Sequence, residues 1–165
     1  LVFLSVISIL GCKSTSQKIF LADTLDRKEI NGIRSYKNGN YQEAFELLKV
    51  PAAWGFKGAQ YTLGFMFLKG QYVQQSTLMG MGWLGVATEV DTREWTEQYN
   101  NFYTAADPKL KLEIDEIVKE YIKRYGMKAQ NITCSKLHSR GPLQFDHKCQ
   151  RSDRPSTIYP VDIIE

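Results

Sequence analysis

The side chains best suited to covalent or metal chemistry in this 165-residue chain are three cysteines and two histidines. Cys134-x3-His138 and His147-x-Cys149 place four soft ligands close together, a donor set of the kind that holds zinc. The same two cysteines can instead close a disulfide loop, with Gly141-Pro142 as the turn between them. Nucleophilic catalysis asks for Ser or Cys beside a His that a carboxylate orients. Asp146-His147 is adjacent in sequence, yet no nucleophile motif accompanies it, and no HExxH, GxSxG or Walker pattern occurs. Gly80, Gly82 and Gly85 resemble a phosphate cradle only in composition: no strand precedes them and no Lys-Ser/Thr follows. Glu113, Asp115, Glu116 and Glu120 fall on the polar side of one helix, a solvated face by default. A glycan-cleaving carboxylate pair among them is the alternative. The expectation is a chain with no catalytic residue, no metal and no cofactor.

Composition bounds the rest. The length suits one ordinary domain, and the hydrophobic content of 43% suffices for a packed core. The net charge of +3 is modest but unevenly spread. From Lys123 to Arg154 there are eight basic residues and only two acidic ones, Asp146 and Asp153. Such a segment reads first as a solvated basic face, and secondly as a surface for acidic head groups or an acidic protein. Nucleic acid is not expected, because the chain's first residues point to export. Leu1 to Leu10 is an apolar run broken only by serines. It is too short to span a bilayer, which takes ~20 helical residues, and fits the apolar core of a secretory signal peptide. With no Met and no basic stretch before it, this signal is expected to be truncated.

Ile9-Leu10-Gly11-Cys12, followed by polar Lys13 to Gln17, resembles a bacterial lipobox. The resemblance implies that Cys12 is lipidated and begins the mature protein, with a polar tether behind it. Several acyl chains give lasting membrane attachment. Lys13 after the Cys resembles the pattern of lipoproteins sorted to the outer membrane, facing the periplasm. An oxidising compartment then favours a disulfide. Cys12 is used by lipid, leaving Cys134 and Cys149 as an even pair. His147-x-Cys149 is also tight for tetrahedral zinc. A Cys134–Cys149 disulfide is therefore expected, with zinc as the alternative.

Internal self-similarity organises the middle of the chain. Gly32-x3-Tyr36-x2-Gly39 aligns with Leu63-Gly64-x2-Phe67-x2-Gly70 at an offset of 31 residues. Each unit reads as helix, tight turn, helix. Ile30, Ile33 and Tyr36 recur at helical spacing, and Gly39 supplies a positive φ that ends the helix. Tyr41, Ala44, Phe45 and Leu48 form the next stripe, expected to stop at Pro51. Ala59, Leu63 and Phe67 form a third, closed by Gly70, and Gly80, Trp83 and Ala87 a fourth.

The residues from Ala59 to Ala87 resemble the Sel1-like repeat, a tetratricopeptide-like helix pair. Ala59, Leu63, Gly64, Phe67, Gly70, Val73, Trp83 and Ala87 all fall on that family's pattern. Ser76 stands where the family often has Asp, and Gly80 where it usually has Ala. Lys28 to Val50 resembles a shortened first repeat. The resemblance implies an all-α short solenoid of antiparallel helix pairs, used for binding or scaffolding.

Beyond the repeats, Asp91 or Thr92 can cap a helix from Arg93 to about Ala105, with Trp95, Tyr99, Phe102 and Tyr103 on one side. Asp107-Pro108 starts another. Its stripe of Leu110, Ile114, Ile117, Val118, Tyr121, Ile122 and Tyr125 is expected to cap the stack, with Asp115–Lys119 and Glu120–Arg124 pairs on the wet face. From Met127 the period is lost, and Leu143 and Phe145 are the apolar residues expected to dock the tail. The expected organisation is signal 1–11, lipidated Cys and linker 12–27, repeat domain 28–126, and a Cys-stapled basic tail 127–165, as a loop or hairpin. The expected function is envelope-anchored protein binding, with an unidentified envelope protein and the membrane as partners. An accessory factor acting on peptidoglycan or another glycan is the second reading.

Overall fold

The structure, a computed structural model, describes residues 14–136, 147–152 and 155–161. Six helices follow one another: α1 (Ser14–Lys37), α2 (Tyr41–Ala53), α3 (Lys57–Lys69), α4 (Thr77–Ala87), α5 (Arg93–Ala105) and α6 (Pro108–Tyr125). A hairpin of β1 (Ile132–Lys136) and β2 (His147–Arg151) closes the fold. The chain is thus mostly helical, as expected. Among the described residues no helix is long and apolar enough to cross a membrane. Cys12, His138, Gly141, Pro142, Leu143 and Phe145 lie outside the described residues.

Local signals set most boundaries. Gly39 (φ 80°) and Gly70 (φ 64°) occupy the left-handed region, which costs glycine little. Asp107 accepts the Leu110 N–H at 2.9 Å, and Pro108 opens α6 where its missing N–H costs nothing. Two boundaries differ from expectation. Residues 14–27, expected as linker, belong to α1, a stretch without Gly or Pro before Gly32. Pro51 does not end α2 but sits inside its last turn. Pro51 cannot donate to the Leu47 carbonyl, yet the helix continues to Ala53, where Trp54 N–H closes onto the Val50 and Pro51 carbonyls (3.1 and 3.0 Å) and Ala52 and Ala53 are buried.

Helices adjacent in sequence pack together from α1 to α4, and beyond α3 the larger partner of α4 is α6 rather than α5. α4 is buried from Met79 to Ala87, and its glycines face two ways. A Cβ on Gly80 would sit 2.6 Å from Leu68 Cγ and 3.0 Å from Gly64 O, across the α3–α4 contact. A Cβ on Gly85 would sit 2.5 Å from Val118 Cγ2, across the α4–α6 contact. These glycines therefore stand inside a helix where they permit close approach, at a propensity cost of up to ~1 kcal/mol each relative to Ala.

The wet and dry faces of α6 differ from the expected stripe in detail. Ile114, Tyr121 and Tyr125 are buried, while Ile122 is exposed. Arg124 pairs with Glu120 at 2.7 Å, as expected. Lys119 instead reaches Glu116 at 4.0 Å, and Asp115 accepts the Tyr103 hydroxyl at 3.1 Å. The aromatic on α5 lies within reach, so the carboxylate turns across the helices and not along its own.

Candidate functional site

The hairpin pairs antiparallel with Cys134 opposite Cys149, and the two are joined by a disulfide. The cystine packs on Trp95, Ala87, Val90 and Met127. Beyond it, Arg151 stacks its guanidinium 4.0 Å from the Trp54 ring centroid and bonds Ser156. The backbone then runs back over the helices as an irregular strap, residues 155–161. Three side chains hold it by its carbonyls. Asn131 Nδ2 donates to Pro155 O (3.0 Å), Gln130 Nε2 to Thr157 O (2.9 Å) and Tyr125 Oη to Pro160 O (2.8 Å).

This strap is one wall of an open groove of about 540 Å³. The second wall is α2, through Phe45, Val50 and Ala53, continued by Trp54. The third is the α3–α4 turn, through Tyr72, Val73 and Gln74. Tyr72 adopts φ 68°, a left-handed conformation that costs a tyrosine of order 1 kcal/mol. That conformation brings its ring to 5.7 Å from Phe45 while leaving the residue 51% exposed at the groove mouth. The groove's charged lining residues are Glu46 and Lys49, which pair with each other at 2.6 Å. One carboxylate neutralised by its own helix offers no acid–base couple.

A second cluster of titratable groups is internal. Lys57 opens α3 with its side chain wholly buried. Its Nζ donates to Gln60 Oε1 (2.9 Å), Val86 O (2.9 Å) and Glu89 Oε2 (2.7 Å). Glu89 Oε2 also accepts the Met127 N–H at 2.8 Å. Gln60 Nε2 donates to Ala52 O and Tyr125 O, both at 2.9 Å. One polar knot thus ties the ends of α2, α3, α4 and α6. Burial pushes the Lys57 ammonium down to about 8, against the opposing pull of Glu89. Every donor of Lys57 is used internally, so the knot is structural.

Glu29 of α1 plays a related part. Its Oε1 accepts the Ala59 N–H at 2.8 Å, an acidic group at the positive end of α3. Burial raises its carboxyl to about 7, with Asp26 adding to the rise. A folded-state pKa above the unfolded one favours the protonated form. The associated stability is therefore complete below about 4.5 and lost as pH rises through about 7. Glu29→Gln keeps an acceptor without titrating. It is expected to match the native chain near pH 4.5 and exceed it by roughly 1–2 kcal/mol at pH 8. Urea denaturation at both pH values checks this, and an equal midpoint difference at the two would contradict it.

The structure distributes the sequence-derived residues by packing. Ala59, Leu63 and Phe67 are fully buried on α3, and Trp83 and Ala87 on α4. Gly64 faces Leu84 and the Gly80 carbonyl, and Gly70 ends α3. Of these positions, expected to define a repeat, only Val73 lines the groove. Sequence reading missed the strap, Tyr72, Glu29 and the Lys57 knot. A signal for the last existed: Lys57 is the one charged residue in the run from Ala52 to Gly64, with Gln60 three residues on. Among the described residues no group of His, Cys, Asp and Glu is arranged to hold a metal ion. No family model, curated protein or solved structure matches the chain.

Proposed function

We propose that this chain is a protein-binding module of Sel1-repeat type, a short solenoid of helix pairs held at the bacterial envelope by lipid on Cys12. The apolar run before Cys12 supports the anchor, and Lys13 after it, where Asp is the inner-membrane signal, supports an outer-membrane location facing the periplasm. The disulfide fits an oxidising compartment of that kind. The observation that carries the binding role is the groove. It is open, lined largely by apolar and aromatic side chains, and its one carboxylate among the described residues is ion-paired. Specific recognition sites are built this way, as apolar concavities with aromatic anchors. A glycan-cleaving site would want two facing carboxylates, which the described lining residues do not supply.

Tyr72 gives the test. Its left-handed backbone carries a cost, and its ring packs on Phe45 while staying half exposed at the groove mouth. Tyr72→Gly removes the ring and the strain together. Its stability is expected to stay within about 1 kcal/mol of the native chain, because relief of strain offsets the lost contact with Phe45. Capture of crosslinked envelope partners by the tagged protein is expected to fall sharply. Undiminished capture by a folded Tyr72→Gly chain would refute the groove as the binding surface.

A further inference from the structure

The strap is bound to the helices the way a separate peptide would be. Three of its bonds to the fold run from a side-chain donor to a main-chain carbonyl, a group every peptide offers, and a fourth joins Arg151 to the Ser156 hydroxyl. Among the described residues no backbone N–H of residues 155–161 donates to a backbone carbonyl. Val161, half-buried against the main core cluster, is its apolar anchor, while Ile158 and Tyr159 line the groove and remain exposed. Tyr159 rests edge-on to Tyr125 at 6.3 Å, under the Arg124 guanidinium at 5.7 Å. Pro160 biases Tyr159 toward extended backbone, so the segment suits a groove better than a helix. Exposed side chains and a lack of ladder bonds to neighbouring backbone among the described residues mark a segment that opens at low cost. The strap also leaves about 540 Å³ unfilled beside it.

We propose that residues 155–161, the strap that forms one wall of the groove, are a displaceable stand-in for a partner's segment. The partner that replaces them is an unstructured segment of another protein with the same chemistry: aliphatic, aromatic, proline, aliphatic, as in Ile158-Tyr159-Pro160-Val161. A partner that also fills the space the strap leaves open buries more apolar surface than the strap does. That gain lets it compete with a tethered segment whose effective concentration is of order millimolar. The tail thus keeps the groove covered until a better-fitting chain arrives. This rests on the groove being the binding surface.

The test uses the whole chain and a fluorescent heptapeptide of sequence Pro-Ser-Thr-Ile-Tyr-Pro-Val. Val161→Ser removes the strap's anchor and leaves Tyr125, Gln130 and Asn131 in place. Anisotropy titration is expected to show at least about tenfold tighter peptide binding by Val161→Ser than by the native chain. Adding Tyr125→Phe should weaken that binding again. Ile158→Ser, at a more exposed strap position, is the second variant in case Val161→Ser melts early. A folded strap variant that binds the heptapeptide no better than the native chain overturns the inference. So does a concentration-dependent dimer of the native chain that the strap variants abolish, since the occupant would then be a second copy. Loss of partner capture in Tyr72→Gly without heptapeptide binding would sink this inference alone. Retained capture would sink the groove reading with it.

Discussion

Glu89→Ala is expected to destabilise the fold by about 3–5 kcal/mol, whereas Lys57→Met should cost no more than about 1–2. The two residues form one ion pair, but burial makes them unequal. The Lys57 side chain is 0% exposed and the Glu89 side chain 21%. Removing Glu89 strands a positive charge that cannot reach water, and it also deprives Met127 N–H of its acceptor. Removing Lys57 leaves a carboxylate that can turn toward solvent and still hold Met127. Methionine fills the vacated space with an unbranched apolar chain. The pH dependence separates this account from a simple loss of packing. Lys57 already has a lowered pKa, so its neutral form is favoured on folding and the related stability is lost as pH falls through about 8. Without Glu89 that pKa drops further. The Glu89→Ala deficit should therefore shrink as the pH is raised from 7 to about 10, where the free amine is shed more readily. Urea denaturation of both variants across that range measures it. A Lys57→Met chain as unstable as Glu89→Ala would show that the knot works through packing and not charge.

Trp83→Ala is expected to cost about 3–5 kcal/mol, and Trp83→Phe only about 1. Trp83 is fully buried, with Tyr121 and Tyr125 ring centroids at 4.9 and 4.7 Å. It joins α4 to α6 across the glycine-lined contact, where Gly82 faces Tyr121 and Gly85 faces Val118. Truncation to Ala opens a cavity that backbones already in close approach cannot collapse to fill. Phenylalanine keeps most of the aromatic contact. It also removes an indole Nε1–H that is buried without a hydrogen-bond partner, which returns part of the lost packing energy. Thermal melts of both variants test the ordering. Equal destabilisation by Phe and Ala would mean that the indole N–H finds a partner in solution.

Much of the architecture was legible because it is written within single turns of chain. The stripes at Ala44, Phe45 and Leu48, and at Ala59, Leu63 and Phe67, bury as their spacing demands. Arg93–Ala105 and Pro108–Tyr125 begin and end where Thr92, Asp107 and Gly126 predict. The Cys134–Cys149 pairing was expected from counting thiols on the reading that the chain is exported, and the structure joins the two. The candidate groove was not legible. Its walls come from α2, the α3–α4 turn and a strap more than a hundred residues downstream of Phe45, and no local pattern records that these meet.

What the sequence alone determined, then, is where helices start, stop and turn an apolar face, because capping, glycine φ and the 3.6-residue period act between near neighbours. Tertiary structure decided which faces meet and which polar groups are drawn inside. Pro51 stays helical because Ala52 and Ala53 are buried against other elements, and Ile122 faces outward although its spacing suits the stripe. Lys57 is buried because Val86 of α4 and Glu89, in the turn after it, supply acceptors for its ammonium group. Glu29 caps a helix 30 residues away. Tyr125 grips a carbonyl 35 residues on. In each case the deciding contact lies far along the chain, and the energy of burying a charge or laying down a strap exists only once distant segments have been brought together.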